Sequence, residues 1–562
     1  MPQPCISSSS RVLALVMVIF QISACSSLSQ PSMPQSVKVA AIHYAPIVAD
    51  VETNRRRLVE LTQEAAHRGA KIVVHTEMAT SGYGFFSRAE AKKVAEPVPG
   101  PTTDALSEVA RRENIYVVVG LPVIDPNTDR IFNSAVLIDP AGQLVGQYRK
   151  RSHLLESAYN AAVNEPIPVF NTQYGRVAIL ICADLMYSHF SRVAAVSGAD
   201  ILLVPANVGV SEDFLRVRAL ENNVSIVVAN RYGKEGRGSA KSVFDQDTFT
   251  ITSPWDYDFS YDARSLIVSS AGHVLAAHEG QKEGIAYADL PIGREHPFPV
   301  VRRPDLYSLL AQDTLEPYTF TRFGLPPPAT VGVAALDPSP NKGISGAEAA
   351  IVAAMQNAKS QGIRLRLAVF PEGYFDGRDP TTLDGLRSLS ARNGIDIVAG
   401  AHDLPDGKLY TLMATPEGGL FKHNPVHLWL GEPAHDGPSN FLVVDRDYGR
   451  VSLLSGPDLL APETAEVLTK MGVDLVAVPA AVDIGPTEAL WRSRAGSNLH
   501  IIVANLKGRE GVFIGGYRTP ISEVMAEGMA ITTVDTAHVR EKKVPRAVDV
   551  TPLVSACTIS KC

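Results

Sequence analysis

The chain has 562 residues, 45% of them hydrophobic and 20% charged, and a net charge of −7 at neutral pH. That length exceeds one ordinary core and points to two domains behind a short leader, while the composition excludes a disordered or multi-spanning chain. The one basic run, three arginines at 55–57, falls on an expected helix surface, so the clustered charge that nucleic-acid binding needs is missing.

At the start, Arg11 precedes an apolar stretch at 12–20, then Gln21 and Ile22-Ser23-Ala24-Cys25. The stretch is too short to span a bilayer and reads as an export signal over residues 1–24. The tetrapeptide ISAC resembles the lipobox of bacterial lipoproteins. That resemblance implies that Cys25 carries the lipid after cleavage, with 25–36 as a tether, and Ser26 beside it implies the outer membrane in a two-membrane host. The expected location is outside the cytoplasm, attached to a membrane only through that lipid; plain secretion with Cys25 unmodified is the alternative. Five cysteines are too few for a disulfide scaffold. Cys5 leaves with the leader, and Cys557 and Cys562 are spaced to close a small loop or to stay free.

From residue 37 onward, short β-rich runs alternate with helical patterns, which predicts an α/β sandwich. VKVAAIHY is a strand, residues 51–68 carry apolar positions at helical spacing with Gly69 as the stop, and 71–75 is a buried strand. IYVVVGLPV follows, then two strands around the turn Asp139-Pro140-Ala141-Gly142, then GRVAILIC, which ends on Cys182. A loop over 236–262, rich in Ser, Asp, Gly and aromatics, is long enough to be a lid or a disordered insertion.

The same signals return in the same order. GIRLRLAVFPEGY echoes GAKIVVHTEMATSGY, GIDIVAGAH echoes NIYVVVGLP, GRVSLLSGPDL echoes GRVAILICADL, and GVDLVAVPAA echoes GADILLVPAN. This order predicts a tandem duplication, with 37–300 and 330–540 as the two copies, a Pro-rich linker at 301–329 and a tail at 541–562. In the second copy Glu77 is matched by Glu372 and Asp184 by Asp458, but Cys182 is matched by Gly456 and Lys150 by Asn424. Glycine offers no nucleophile, so one active site per chain is expected, in the first copy.

Glu77, Lys150 and Cys182 each sit at a strand end, where side chains of α/β folds converge on a pocket. A thiol with an ordinary pKa of about 8.5 needs a base and a nearby cation to act at neutral pH. A carboxylate can take its proton, and an ammonium can stabilise first the thiolate and then a tetrahedral oxyanion. Attack on an amide then gives a thioester that water hydrolyses, with no metal and no organic cofactor.

TEMATSGY, YRKRSHL and ICADL resemble the Glu, Lys and Cys motifs of the nitrilase superfamily, in that order. The match is close over 37–230 and weakened over 331–505. It implies an α-β-β-α sandwich, a Glu77-Lys150-Cys182 triad, and an oxyanion hole built from the Lys150 ammonium and the backbone N–H of Ala183. It offers Glu156 as a second carboxylate, and His153 is expected to be structural because proton transfer falls to glutamate. Asp184 is expected to brace the nucleophile loop. Asn207 either faces the substrate or is a turn residue.

Aspartate at 184, where true nitrilases tend to have glutamate, implies an amide as substrate. Nitrile hydrolysis, or an exported pseudoenzyme that binds without turnover, are the alternatives. The expected partner is a small-molecule amide, and the second copy is expected to supply internally the surface through which relatives dimerise.

Overall fold

A computed structural model describes residues 35–562 except 86, 153–157, 163–164, 208, 210, 237–243, 246–249, 252–257, 295–297, 313–323, 340–342, 404–407, 433–438, 517–519, 541, 543–547 and 556–562. Cys25, His153, Glu156, Cys557, Cys562 and most of the 236–262 loop therefore lie outside the described residues. Of that loop's ends, Tyr232–Gly236 pairs antiparallel with Asp258–Asp262.

The first sandwich is built on two six-stranded sheets. One runs, edge to edge, Gly284–Pro291, Ser36–His43, Ile72–Val74, Tyr116–Ile124, Ile131–Ile138 and Leu144–Arg149. The other runs Val274–His278, Ser265–Val268, Ser225–Ala229, Ile201–Pro205, Gly175–Ile179 and Val169–Thr172. Side chains alternate across a strand, and the sequence uses both faces. From Ser36–His43, Val37, Val39 and Ala41 enter the core between the sheets, whereas Ala40 and Ile42 face the outer helices. Each fully buried aliphatic side chain contributes roughly 1.5–3 kcal/mol.

The first outer helix forms where the pattern predicts. Val51–His67 starts at Asp50, whose carboxylate accepts from the Thr53 N–H at 3.1 Å, and buries Leu58, Leu61 and Ala65. It ends before Gly69, at φ +90°. With Pro101–Glu113 it covers the first sheet, and Ser188–Val196 and Glu212–Asn222 cover the second. The α-β-β-α sandwich is complete.

The second sandwich repeats this strand for strand. Met529–Asp535, Thr330–Leu336, Leu365–Asp376, Asp396–Asp403, Lys408–Ala414 and Leu420–His423 form one sheet. Ser522–Ala526, Glu510–Ile514, His500–Asn505, Leu475–Ala480, Gly449–Leu453 and Leu442–Arg446 form the other. The sequence of parallel and antiparallel pairings is the same as in the first sandwich. The tandem duplication read from the sequence is thus a duplication of fold.

The halves meet through matching helices. Ser188–Val196 packs on Pro462–Lys470, its counterpart, and Glu212–Asn222 packs on Thr487–Ala495, its counterpart. Each element meets its own duplicate, the geometry of an isologous two-fold interface within one chain. The 301–312 stretch contributes a short helix, Ser308–Ala311, and the tail residues Val548 and Leu553 bury themselves in the first sandwich's core.

Candidate active site

Three strand ends of the first sandwich converge. Glu77 follows Ile72–Val74, Lys150 follows Leu144–Arg149, and Cys182 follows Gly175–Ile179 at the head of a 3-10 turn, Cys182–Met186. The two sheets pack face to face, so residues far apart in sequence share one buried point. The Lys150 Nζ lies 2.8 Å from Glu77 Oε1, with both side chains buried. The charges of both groups act on the Cys182 thiol, so all three share this buried point.

The expected brace is there too. Asp184 accepts from the Tyr148 hydroxyl at 2.8 Å, the Ser152 N–H at 2.7 Å and the Ile181 N–H at 3.2 Å, tying the turn of Cys182 to the strand end of Lys150. Ala183 is buried next to Cys182 in the turn. The backbone of Asn207 favours the charged form of the thiol. With its amide nitrogen facing inward, the Asn207 side chain donates to the carbonyls of Ala206 at 3.0 Å and Glu77 at 3.3 Å, so it joins two of the loops that meet here.

Two further groups carried no sequence signal. Asn133, at the start of its strand, donates from Nδ2 to Glu77 Oε1 at 2.6 Å, and its carbonyl accepts from the Lys150 N–H at 2.8 Å. One asparagine thus orients both the carboxylate and the lysine. Glu235, on the strand Tyr232–Gly236, accepts from the N–H groups of Tyr83 (2.8 Å) and Gly84 (2.5 Å) and fixes the loop after Glu77. The Tyr83 ring on that loop lies 5.5 Å from the Lys150 Nζ.

Backbone geometry marks the same point. Cys182 has φ +53°, a left-handed conformation that costs a non-glycine residue of order 1–3 kcal/mol. Gly120 runs so close behind the carboxylate that a Cβ there would lie 2.6 Å from the Thr76 carbonyl oxygen and 2.8 Å from the Glu77 Cα. Burial, followed by the charge of Glu77, pushes the Cys182 thiol well above its ordinary value, against the opposing pull of Lys150 and the Asn207 backbone. The sulfur is therefore held in its protonated form at rest.

The second sandwich keeps the frame and the carboxylate of Glu372 but not the thiol. Gly400 there approaches the Glu372 Cα as Gly120 approaches Glu77, with a virtual Cβ at 2.4 Å. Asp458 accepts from the N–H groups of Ser455 (2.9 Å) and Val426 (2.8 Å), as Asp184 accepts from Ile181 and Ser152, and His423 replaces Tyr148 as a side-chain partner at 3.1 Å. Gly456 occupies the position of Cys182, without the left-handed φ. Among the described residues no group of three or more His, Cys, Asp or Glu side chains is arranged to hold a metal ion.

The profile of the family described as Carbon-nitrogen hydrolase matches residues 38–298. A nitrilase of Pyrococcus abyssi is 32% identical over 265 residues, covering 46% of this chain and 92% of that protein. Human omega-amidase NIT2 is 28% identical over 278 residues, 46% of this chain and 91% of that protein. The N-carbamoylputrescine amidase of Solanum lycopersicum is 28% identical over 302 residues, 49% and 94% of the two chains. Among solved structures, an amidase from Nesterenkonia sp. is similar at 23% identity and a TM-score of 0.37, covering 47% of this chain and 94% of that one. Saccharomyces cerevisiae Nit3 is similar at 24% identity and a TM-score of 0.38, covering 46% and 91%. The chain belongs to the carbon-nitrogen hydrolase family of the nitrilase superfamily, and is a hydrolase whose family domain is its first half.

Proposed function

We propose that the first half hydrolyses small-molecule amides through a thioester on Cys182. The observation that carries this reading is the single buried carboxylate of Glu77, whose charge acts on Cys182 while Lys150 (2.8 Å) and Asn133 (2.6 Å) hold its Oε1 in place.

The steps follow from those positions. Glu77 takes the thiol proton as Sγ attacks the carbonyl carbon, and the oxyanion that forms is stabilised by the Lys150 ammonium and the Ala183 N–H. Glu77 returns its proton to the departing nitrogen, the C–N bond breaks, and ammonia or an amine leaves. A water molecule, deprotonated by Glu77, attacks the thioester and frees the acid and the thiol. The amide is favoured by Asp184 at its position and by the amide-cleaving names of the human and tomato relatives. A nitrile is the second reading, favoured by the Pyrococcus abyssi relative's name.

The second half contributes no nucleophile and serves as an internal dimerisation partner, leaving one site per chain. The protein is exported and lipid-anchored at Cys25, a reading supported by the leader sequence; among the described residues no helix is long and apolar enough to cross a membrane.

The test is ammonia or amine release by the leader-free protein from propionamide, succinamic acid, N-carbamoyl-β-alanine, N-carbamoylputrescine and propionitrile, with Cys182→Ala beside it. Release from amides that Cys182→Ala abolishes is expected. Release from the nitrile alone overturns the choice of substrate, and no release from any of them favours a binding role.

A further inference from the structure

At the interface between the halves lies a charged group that the chemistry above does not use. Arg218 Nε donates to the Leu185 carbonyl at 3.2 Å, and its Nη2 donates to the Met186 carbonyl at 3.2 Å. Those carbonyls close the 3-10 turn that begins at Cys182. Arg494, its counterpart in the second half, grips the matching turn in the same way, donating to the carbonyls of Leu459 (2.7 Å) and Leu460 (3.3 Å). Both arginines are fully buried.

The duplication has broken its symmetry at the centre. The first half supplies Glu221, where the second half has Ser497 at the matching place. Glu221 is hydrogen-bonded to Arg218 through Oε1 and ion-paired with Arg494 at 2.7 Å through Oε2. Ser493 of the second half accepts a further bond from Arg218 at 2.9 Å. Burial alone would push the Glu221 carboxyl up, but Arg494 and then Arg218 hold it below its ordinary value. One buried carboxylate therefore joins two guanidiniums, each of which holds one turn.

We propose that Arg218, Glu221 and Arg494 are positioning residues for Cys182, so that the second half acts in cis as the part that fixes the nucleophile turn. Arg218 has five donors in a rigid fork, and Glu221 sets that fork only while Arg494 balances its other oxygen. Cys182 sits at φ +53°, a conformation that holds only where the surrounding structure determines it. Releasing the far end of the turn lets that backbone relax and carries the sulfur away from Glu77. Touching neither the substrate nor the sulfur, Arg494 acts through Glu221 and Arg218.

The kinetic readout of this inference rests on the amidase reading, whereas its alkylation readout does not. The experiment uses the leader-free full chain with Arg494→Met, Arg494→Lys and, as control, Arg302→Gln. The control removes a different buried ion pair beside the interface, that of Arg302 in the linker with Glu463 at 3.1 Å, which does not touch the turn. Two quantities are read: kcat and KM for the fastest amide of the panel above, and the pH midpoint of iodoacetamide labelling at Cys182, followed by peptide mass spectrometry.

Both Arg494 variants are expected to lower kcat by about 10- to 100-fold with KM little changed. Both should also move the labelling midpoint down toward that of an ordinary thiol, near about 8.5. Arg302→Gln should do neither. Should Arg494→Met not fold, Glu221→Gln, which keeps the shape of the group, is read in the same way. A wild-type kcat and midpoint in a folded Arg494 variant overturns the proposal, and so does an equal change in Arg302→Gln. Amide cleavage that survives in Cys182→Ala overturns the thioester reading of Cys182 instead, and the labelling midpoints then decide the positioning claim alone.

Discussion

Val482 fills the space that a side chain at Gly456 would need: a Cβ built on Gly456 lies 2.7 Å from the Val482 Cγ2. The second sandwich has therefore lost more than its thiol, because the volume that held the sulfur is now apolar and packed. Gly456→Cys combined with Asn424→Lys, in a Cys182→Ala background, is expected to release no ammonia from any amide. It should also lower stability by about 1–3 kcal/mol through overpacking. Activity assays and urea unfolding of the same sample check both halves of the statement.

The carboxylate left behind in that half has a different fate. Burial, reinforced by Glu432, raises Glu372 to about 7, and its Oε2 has no hydrogen-bond partner. A carboxyl raised in the fold binds more protons in the native than in the unfolded chain between about 4.5 and 7. Its contribution to stability is thus full below about 4.5 and is lost as pH rises through about 7. Glu372→Gln should flatten that part of the stability profile by on the order of 1–3 kcal/mol. Urea midpoints at pH 4.5 and 7.5 measure it; Glu510, also raised to about 7 by burial, keeps its own share of the decline in the variant. An unchanged difference between the two midpoints would remove the assignment.

Gly120 and Gly400 offer a paired comparison of the two frames. A methyl at either meets backbone, not a flexible side chain: the Thr76 carbonyl and Glu77 Cα in one case, the Glu372 Cα in the other. Backbone must move in both, so Gly120→Ala and Gly400→Ala should each cost stability. Only Gly120→Ala displaces Glu77, whose carboxylate oxygen sits 2.8 Å from the Lys150 Nζ. Its activity per folded molecule should fall about 100-fold, while Gly400→Ala keeps the wild-type value. Titrating folded protein by intrinsic fluorescence and dividing rate by folded fraction separates the two effects.

How much of this was legible beforehand depends on the range of the signal. The strands around Val39, Val117 and Ile201 announce themselves through β-branched runs, and the duplication through repeated order, because both are local patterns. The meeting of Glu77, Lys150 and Cys182 was reachable because each ends a strand and the three motifs together carry a resemblance. Asn133 was not reachable. Its bond to Glu77 spans 56 residues, and one asparagine at a strand start has no periodicity to mark it. Glu221 and Arg494 were hidden for a similar reason: a buried ion pair between two halves reads, in each half alone, as a charged helix position. Val482, two residues past its strand, gains meaning only from the missing side chain at Gly456.

The interface between the halves also makes a statement about assembly. Helix Ser188–Val196 already lies on Pro462–Lys470, and Glu212–Asn222 on Thr487–Ala495, with Arg192 and Glu463 paired at 2.8 Å inside the contact. Glu463 also pairs with Arg302 at 3.1 Å, and pulling the two helices apart would strip this buried carboxylate of its Arg192 partner at a cost of several kcal/mol. An isologous surface that is filled from within the chain is not available to a second copy. The leader-free protein should therefore be monomeric by light scattering across a hundredfold range of concentration, and Glu463→Gln should lower its thermal midpoint without producing dimers. A tight homodimer of the unaltered chain would mean that a different face drives assembly and that the second half does not replace a partner subunit.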